Sequence, residues 1–338
     1  MLCHCIENAY DLTLQEWLDA GIISKIFRLC GFTLGRLGVP LFLFLTGYLM
    51  LGRRFADSRS IIDFYKKKLP PLLTATVFWN CFHFFFLCLY HGNPPDWDSF
   101  GRMLLFIGPA PLSLMWYMPM IMGVYIAVPL INRAISGLSV RSLMLPLGLC
   151  FGVGFIVPFI NTMIKIYGEQ IPLVASTVNV AFLGGTYGFY LLLGHIFRVA
   201  DHQHIRTRIF ALVFVLSFAG MCAFQLFAFA KSCNYWLWYD FPLMPPCALS
   251  LFALFYRLRD MRFFRRTAAQ FSFAAQHTFA VFFVHRPIQL MSVLVLSDII
   301  LKKPYVAAFI FVVGAILAFA LAWALRKVKF IRNWLLGG

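Results

Sequence analysis

Few side chains in this 338-residue chain combine a reactive group with a place inside an apolar stretch. His4 falls in an apolar start, and an imidazole titrates close enough to neutral pH to take a proton from a hydroxyl. His285 and Arg286 lie deep in another apolar run, some eight residues beyond His277, which is about 12 Å along a helix. An arginine at that depth must face a polar interior or reach back to the surface. Asn80 and His83 are three apart and share one helical face. They either line a polar cavity or, the more frequent use, hydrogen-bond to a neighbouring helix. Arg53, Arg54, Lys66, Lys67 and Lys68 suit anionic phosphates, lysine as a point charge and arginine as a fork. Topology alone also accounts for cations at the inner end of a span. Cys3, His4 and Cys5 are adjacent and lack the spacing of a zinc site, so no metal is expected. The nine cysteines read as buried apolar filler.

Membrane helices must position these groups. The chain is 61% hydrophobic and 12% charged, with mean hydropathy +0.80, which excludes an ordinary soluble domain. The formal net charge of +16 would suit nucleic acid, but the cations fall in short clusters between apolar runs, so a membrane partner is expected and a nucleic-acid partner is not. Apolar runs predict an all-α, polytopic helical bundle with nine complete spans near 33–52, 69–90, 112–132, 143–162, 176–197, 209–229, 238–256, 271–297 and 305–325. The connecting segments that alternate with the others hold 20 of the 29 Lys and Arg, which predicts a cytoplasmic carboxyl tail and an outside position for residues 11–32. Residues 1–10 then read as the last turns of a truncated first span. No linker divides the chain, so 1–338 reads as one domain. Trp97, Trp236 and Trp238 are expected at membrane interfaces. The tail RKVKFIRNWLLGG is expected to lie on the membrane surface as a short helix.

The run Gly38 to Met50, GVPLFLFLTGYLM, combines Pro40 and Gly47 in a way that suits a packed seam between membrane helices. It resembles the second span of the acyltransferase 3 family, "VPLFF-x-x-SGYLL". Further along, Phe64 to Leu73 with Val77-Phe78-Trp79 is similar to the family's "FYKRRIPRLL" and the apolar run after it, Lys68 and Pro71 standing where the family has an Arg-x-x-Arg pair. Leu114-Met115-Trp116-Tyr117 followed by Gly123-Val124-Tyr125 resembles "HLWYL...GLY", with Leu114 in the place of the histidine. Tyr187 to Gly194 resembles "YFLLGY", Thr278 to His285 resembles "SFGIYLIH", and the tail resembles "LLRKIPFLRKLLG". The motifs run in the family's order from residue 38 to 336.

The resemblance implies an integral membrane acyltransferase that moves an acyl group, commonly acetyl from acyl-CoA, to a hydroxyl of a cell-envelope glycan or glycolipid in the inner membrane. It implies His4 as the base, with a partner arginine that would fall before Met1. Arg53, Arg54, Lys67 and Lys68 would hold the phosphates of coenzyme A, and Trp116, Tyr117, His285 and Arg286 would shape the substrate pocket. Two other readings stand beside it. One is an inactive paralogue. The other is a carrier or flippase for a small or lipid-linked substrate, with His83, His195, Gln225 and Arg286 lining a path.

Overall fold

The computed structural model describes all residues except 109, 169–172, 175–184, 201, 295–302 and 337–338. The described elements are all helical. In chain order they are α1 (Leu2–Ala9), α2 (Leu14–Asp19), α3 (Ile22–Arg36), α4 (Gly38–Met50), α5 (Ser58–His91), α6 (Trp97–Leu104), α7 (Tyr117–Ile135), α8 (Val140–Phe151) and α9 (Val157–Tyr167). There follow α10 (Gly185–Val199), α11 (Thr207–Ala230), α12 (Met244–Leu258), α13 (Arg262–Arg266), α14 (Ala268–Leu294) and α15 (Pro304–Arg326).

Six stretches are long and apolar enough to cross a membrane: Ile22–Met50, Ser58–His91, Ser113–Ile135, Val140–Tyr167, Thr207–Ala230 and Pro304–Arg326. Each overlaps an expected span. The other three expected spans coincide with α10 and α12, of 15 residues each, and with α14, of 27 residues, none of which is among the six. The described helices thus supply six candidate crossings by length and composition, and do not confirm the count of nine. Residues 176–184 and 295–297 of the expected spans lie outside the described residues.

Several boundaries differ for clear reasons. The first long helical stretch starts at Ile22, not Thr33, because the charge of Arg28 is neutralised inside the fold. Its guanidinium donates to the Glu16 carboxylate at 2.9 Å and stacks 4.1 Å over the Tyr10 ring. The stretch breaks at Leu37, since Pro40 has no N–H to give the Arg36 carbonyl one turn back. The basic segment before residue 69, expected as a loop, forms the opening turns of α5. Asp57 and Ser60 make a reciprocal capping box there, and bonding from the Ser60 amide and then its hydroxyl holds the Asp57 carboxyl below its usual range. The tail forms the expected short helix, Ile331–Leu335, with Phe330 and Trp334 exposed. Leu335 and Leu336 are buried against the bundle, and the Trp79 indole N–H donates to the Leu335 carbonyl at 3.0 Å.

The seam expected around Gly47 joins α4 to α10. A Cβ on Gly47 would collide with the Leu191 carbonyl, and one on Gly194 with the Phe44 carbonyl. The two backbones thus touch directly, as small residues permit between membrane helices. Gly47→Val is expected to cost about 3 kcal/mol, the upper part of the range for overpacking a rigid contact. Thermal unfolding in detergent measures it.

Candidate active site

α1 is too short to be stable alone, so its position comes from what holds it. α3, α14 and α15 pack around it. Gly35 lets α3 come close, since a Cβ there would clash with the Cys3 backbone. From α14, Arg286 donates to the His4 carbonyl at 2.9 Å and Gln289 to the Met1 carbonyl at 3.2 Å. The Cys5 thiol donates to the Ala307 carbonyl of α15 at 3.1 Å.

Held in this way, α1 presents His4 and Glu7 on one face, three residues apart. His4 Nδ1 lies 2.6 Å from Glu7 Oε2. The other carboxylate oxygen accepts from Arg36 Nη2 at 3.2 Å and from the Cys3 thiol at 3.4 Å. A carboxylate paired with an arginine is an acceptor only, so Nδ1 carries the imidazole hydrogen and Nε2 keeps its lone pair. Arg36 is itself fixed. Its guanidinium lies 4.6 Å from the Phe32 ring and 4.3 Å from the Trp238 ring, and Nη1 donates to the Tyr239 hydroxyl at 3.4 Å. The cation thus sits among aromatic faces with Nη1 and Nη2 each bonded to a named partner, while Nε is buried without one among the described residues.

These groups border a cavity of about 460 Å³. His4, Arg36, Tyr239 and His285 give it polar walls, while Val39, Phe42, Leu72, Ile121, Phe282 and Phe319 are among its apolar ones. The His285 ring centroid is 5.6 Å from that of His4. His285 Nδ1 bonds the Val281 carbonyl at 3.0 Å, and its Nε2 is buried without a partner among the described residues. Two imidazole rings therefore border the same space, one of them backed by a carboxylate.

Of the residues singled out in the sequence, His4, Trp116, Tyr117 and His285 line this cavity. Arg286 does not. It grips the His4 backbone instead, which corrects its placement as a pocket residue to that of a positioning residue. Arg53, Arg54, Lys67 and Lys68 do not line the cavity either; the first three are exposed and Lys68 is half-buried. Lys68 lies one helical turn before Leu72, a lining residue. The Arg53 guanidinium lies 5.7 Å from the Phe64 ring, which meets the ring of lining residue Tyr125 edge-on at 6.1 Å. Asn132 on α7 fixes the turn that carries Arg53 by donating to the carbonyls of Leu51 and Arg53. His83 has the ordinary use expected of it, with Nε2 3.0 Å from the Phe283 carbonyl on a neighbouring helix. Trp236 and Trp238 pack beside the site: the Trp236 indole donates to the Leu12 carbonyl at 2.9 Å, and Trp238 faces Arg36. Glu7, Arg36 and Tyr239 were not foreseen. The local signal was the His-x-x-Glu spacing of α1; the pairing with Arg36 spans 29 residues and leaves no local pattern.

A histidine backed by a carboxylate, on the wall of a cavity among apolar helices, is a group that can take up a proton. A family model described as an acyltransferase domain, that of the acyltransferase 3 family, matches residues 1–327, and the chain belongs to this family of membrane acyltransferases. No curated protein and no solved structure matches it in the same comparisons.

Proposed function

We propose that this protein transfers an acyl group, acetyl in the simplest case, from acyl-CoA to a hydroxyl of a cell-envelope glycan or glycolipid, in the inner membrane with its carboxyl tail cytoplasmic. The observation that carries the reading is the His4, Glu7 and Arg36 chain at the cavity wall. His4 Nε2 takes the proton of the acceptor hydroxyl as its oxygen attacks the thioester carbonyl. Glu7 keeps Nδ1–H oriented and offsets the positive charge on the imidazolium, as an acid residue does behind any catalytic histidine. The Tyr239 hydroxyl accepts from Arg36, which leaves its own hydrogen free to donate to the oxyanion. The carbonyl re-forms, the carbon–sulfur bond breaks, and the coenzyme A thiolate takes the proton from His4.

The donor's phosphates are assigned to Arg53, Arg54, Lys67 and Lys68. Support comes from Lys68, one helical turn before the lining Leu72, and from Arg53, which reaches the lining Tyr125 through Phe64. Lys68→Glu is expected to raise the KM for acyl-CoA about tenfold, equivalent to about 1.4 kcal/mol, with kcat kept. Steady-state kinetics on the reconstituted chain measures it.

A carrier is less well supported. His83, His195, Gln225 and Arg286, the side chains that would mark its path, do not line the cavity. Gln225 is occupied in packing, donating to Thr33 and accepting from the Leu237 amide. The test is release of free thiol from acetyl-CoA by the purified chain in vesicles. Release that depends on the protein supports the transferase; absence of both binding and release of any acyl-CoA refutes it.

A further inference from the structure

Phe42 is a wall of the cavity and yet 52% exposed. Its place on the α4 helical wheel explains this. On one side of it lie Val39 and Thr46, which line the cavity; on the other lie Leu45 and Leu49, 38% and 48% exposed and outside the lining. The opposite face of α4, with Leu43, Phe44 and Gly47, is buried. Phe42 thus stands at the edge where the cavity-facing surface of a membrane-spanning helix turns into its lipid-facing surface. The polar end of the cavity lies at a similar spacing along two of its helices. Phe42 is six residues past Arg36, about 9 Å along the axis. On α14, Phe279 is six residues before His285, the same distance from the polar end. Both helices therefore give the cavity apolar walls about two turns along the chain from Arg36 and His285.

We propose that the cavity opens sideways to the bilayer at Phe42, and that the opening takes the alkyl chain of a lipid-anchored acceptor whose hydroxyl-bearing head reaches His4. The inference rests on the acyl-transfer reading for the role of the head group, but the opening stands on geometry alone. An alkyl chain is the chemistry that fits. The flank is built of Val39, Phe42, Phe279 and Phe282, and the bilayer supplies hydrocarbon at that depth, so a chain entering there exchanges one apolar surface for another and leaves no polar group unpaired. An acceptor diffusing in from water would have no use for such a wall. The acceptor class is thereby narrowed from glycans in general to glycolipids.

The test uses the full chain in vesicles of phosphatidylethanolamine and phosphatidylglycerol, with a phosphatidylglycerol carrying a diazirine midway along one acyl chain. After irradiation, adducts are mapped to single residues. Leu45 and Leu49, on the lipid-facing surface, serve as the positive control. The expected result is labelling of Ile121 and Phe282 inside the cavity as well, and loss of that interior labelling in Val39→Trp/Phe42→Trp with the control positions unchanged. Ile121 is buried, so lipid reaches it through the cavity. Adducts confined to Leu45 and Leu49 in the wild-type chain would overturn the proposal, and this result does not depend on how the double variant folds. Acetyl-CoA binding to the same vesicles separates the two claims. Interior labelling without binding removes the transferase reading and keeps the opening; binding without interior labelling does the reverse.

Discussion

His4→Ala is expected to lower acyl transfer by about 10²- to 10⁴-fold, the usual contribution of a positioned general base. The magnitude follows from the chemistry required: an alcohol is a weak nucleophile at neutral pH until its proton has somewhere to go, and His4 is the cavity-lining imidazole that a carboxylate orients. His285 does not substitute for it. Its Nδ1 is tied to a backbone carbonyl, and among the described residues no carboxylate bonds its ring. The variant leaves Glu7 its bond to Arg36, and Arg286 bonds the backbone of residue 4 rather than its ring. Acetyl-CoA binding and thermal unfolding of His4→Ala should therefore match the wild-type chain while thiol release collapses.

Arg36→Met is expected to destabilise the protein by about 3 kcal/mol, as breaking a buried ion pair from one side does. The low end of the range applies because the Glu7 side chain is 20% exposed and retains some solvation. Loss of the guanidinium also removes its contacts with Phe32 and Trp238, and frees Tyr239 from the hydrogen bond that sets its hydroxyl. Most of the cost arises from the carboxylate left behind, so Arg36→Met combined with Glu7→Gln should be less damaging than Arg36→Met alone. A double-mutant cycle by thermal unfolding in detergent measures the coupling, expected at about 1–3 kcal/mol for groups in direct contact. Simple additivity would show that the pair contributes nothing as a pair.

Much of the architecture could be read before the structure because membrane helices announce themselves by composition. The runs behind α4, α5, α7, α11 and α15 are apolar over most of their length, and the ordered motifs from Gly38 to the tail led to the family that residues 1–327 match. Legibility failed where polarity is cancelled by tertiary contact. α3 was cut short because Arg28 and Lys25 lower the local hydropathy, although Arg28 is buried against Glu16 and Tyr10. The start of α5 was missed although Asp57 and Ser60 spell out a capping box. At the site, His4 and His285 were found because histidine is rare in apolar runs, and Trp116 and Tyr117 because they belong to a motif. Glu7 and Arg36 carry no such mark, since they stand 29 residues apart and no local pattern links them. Only the fold brings the two together, and a helix of eight residues reads as incidental until α3, α14 and α15 are seen to clamp it.

The central claim is that His4 and Glu7 act as one unit on the acyl-transfer step. It is tested most directly by protein-dependent thiol release from acetyl-CoA in vesicles, comparing His4→Ala, Glu7→Gln and the double variant. Residues that work as a unit are strongly non-additive in rate. Each single variant should lose most of the activity, and the double variant should be no slower than His4→Ala. Losses that multiply, or a Glu7→Gln protein as fast as the wild type, would contradict it.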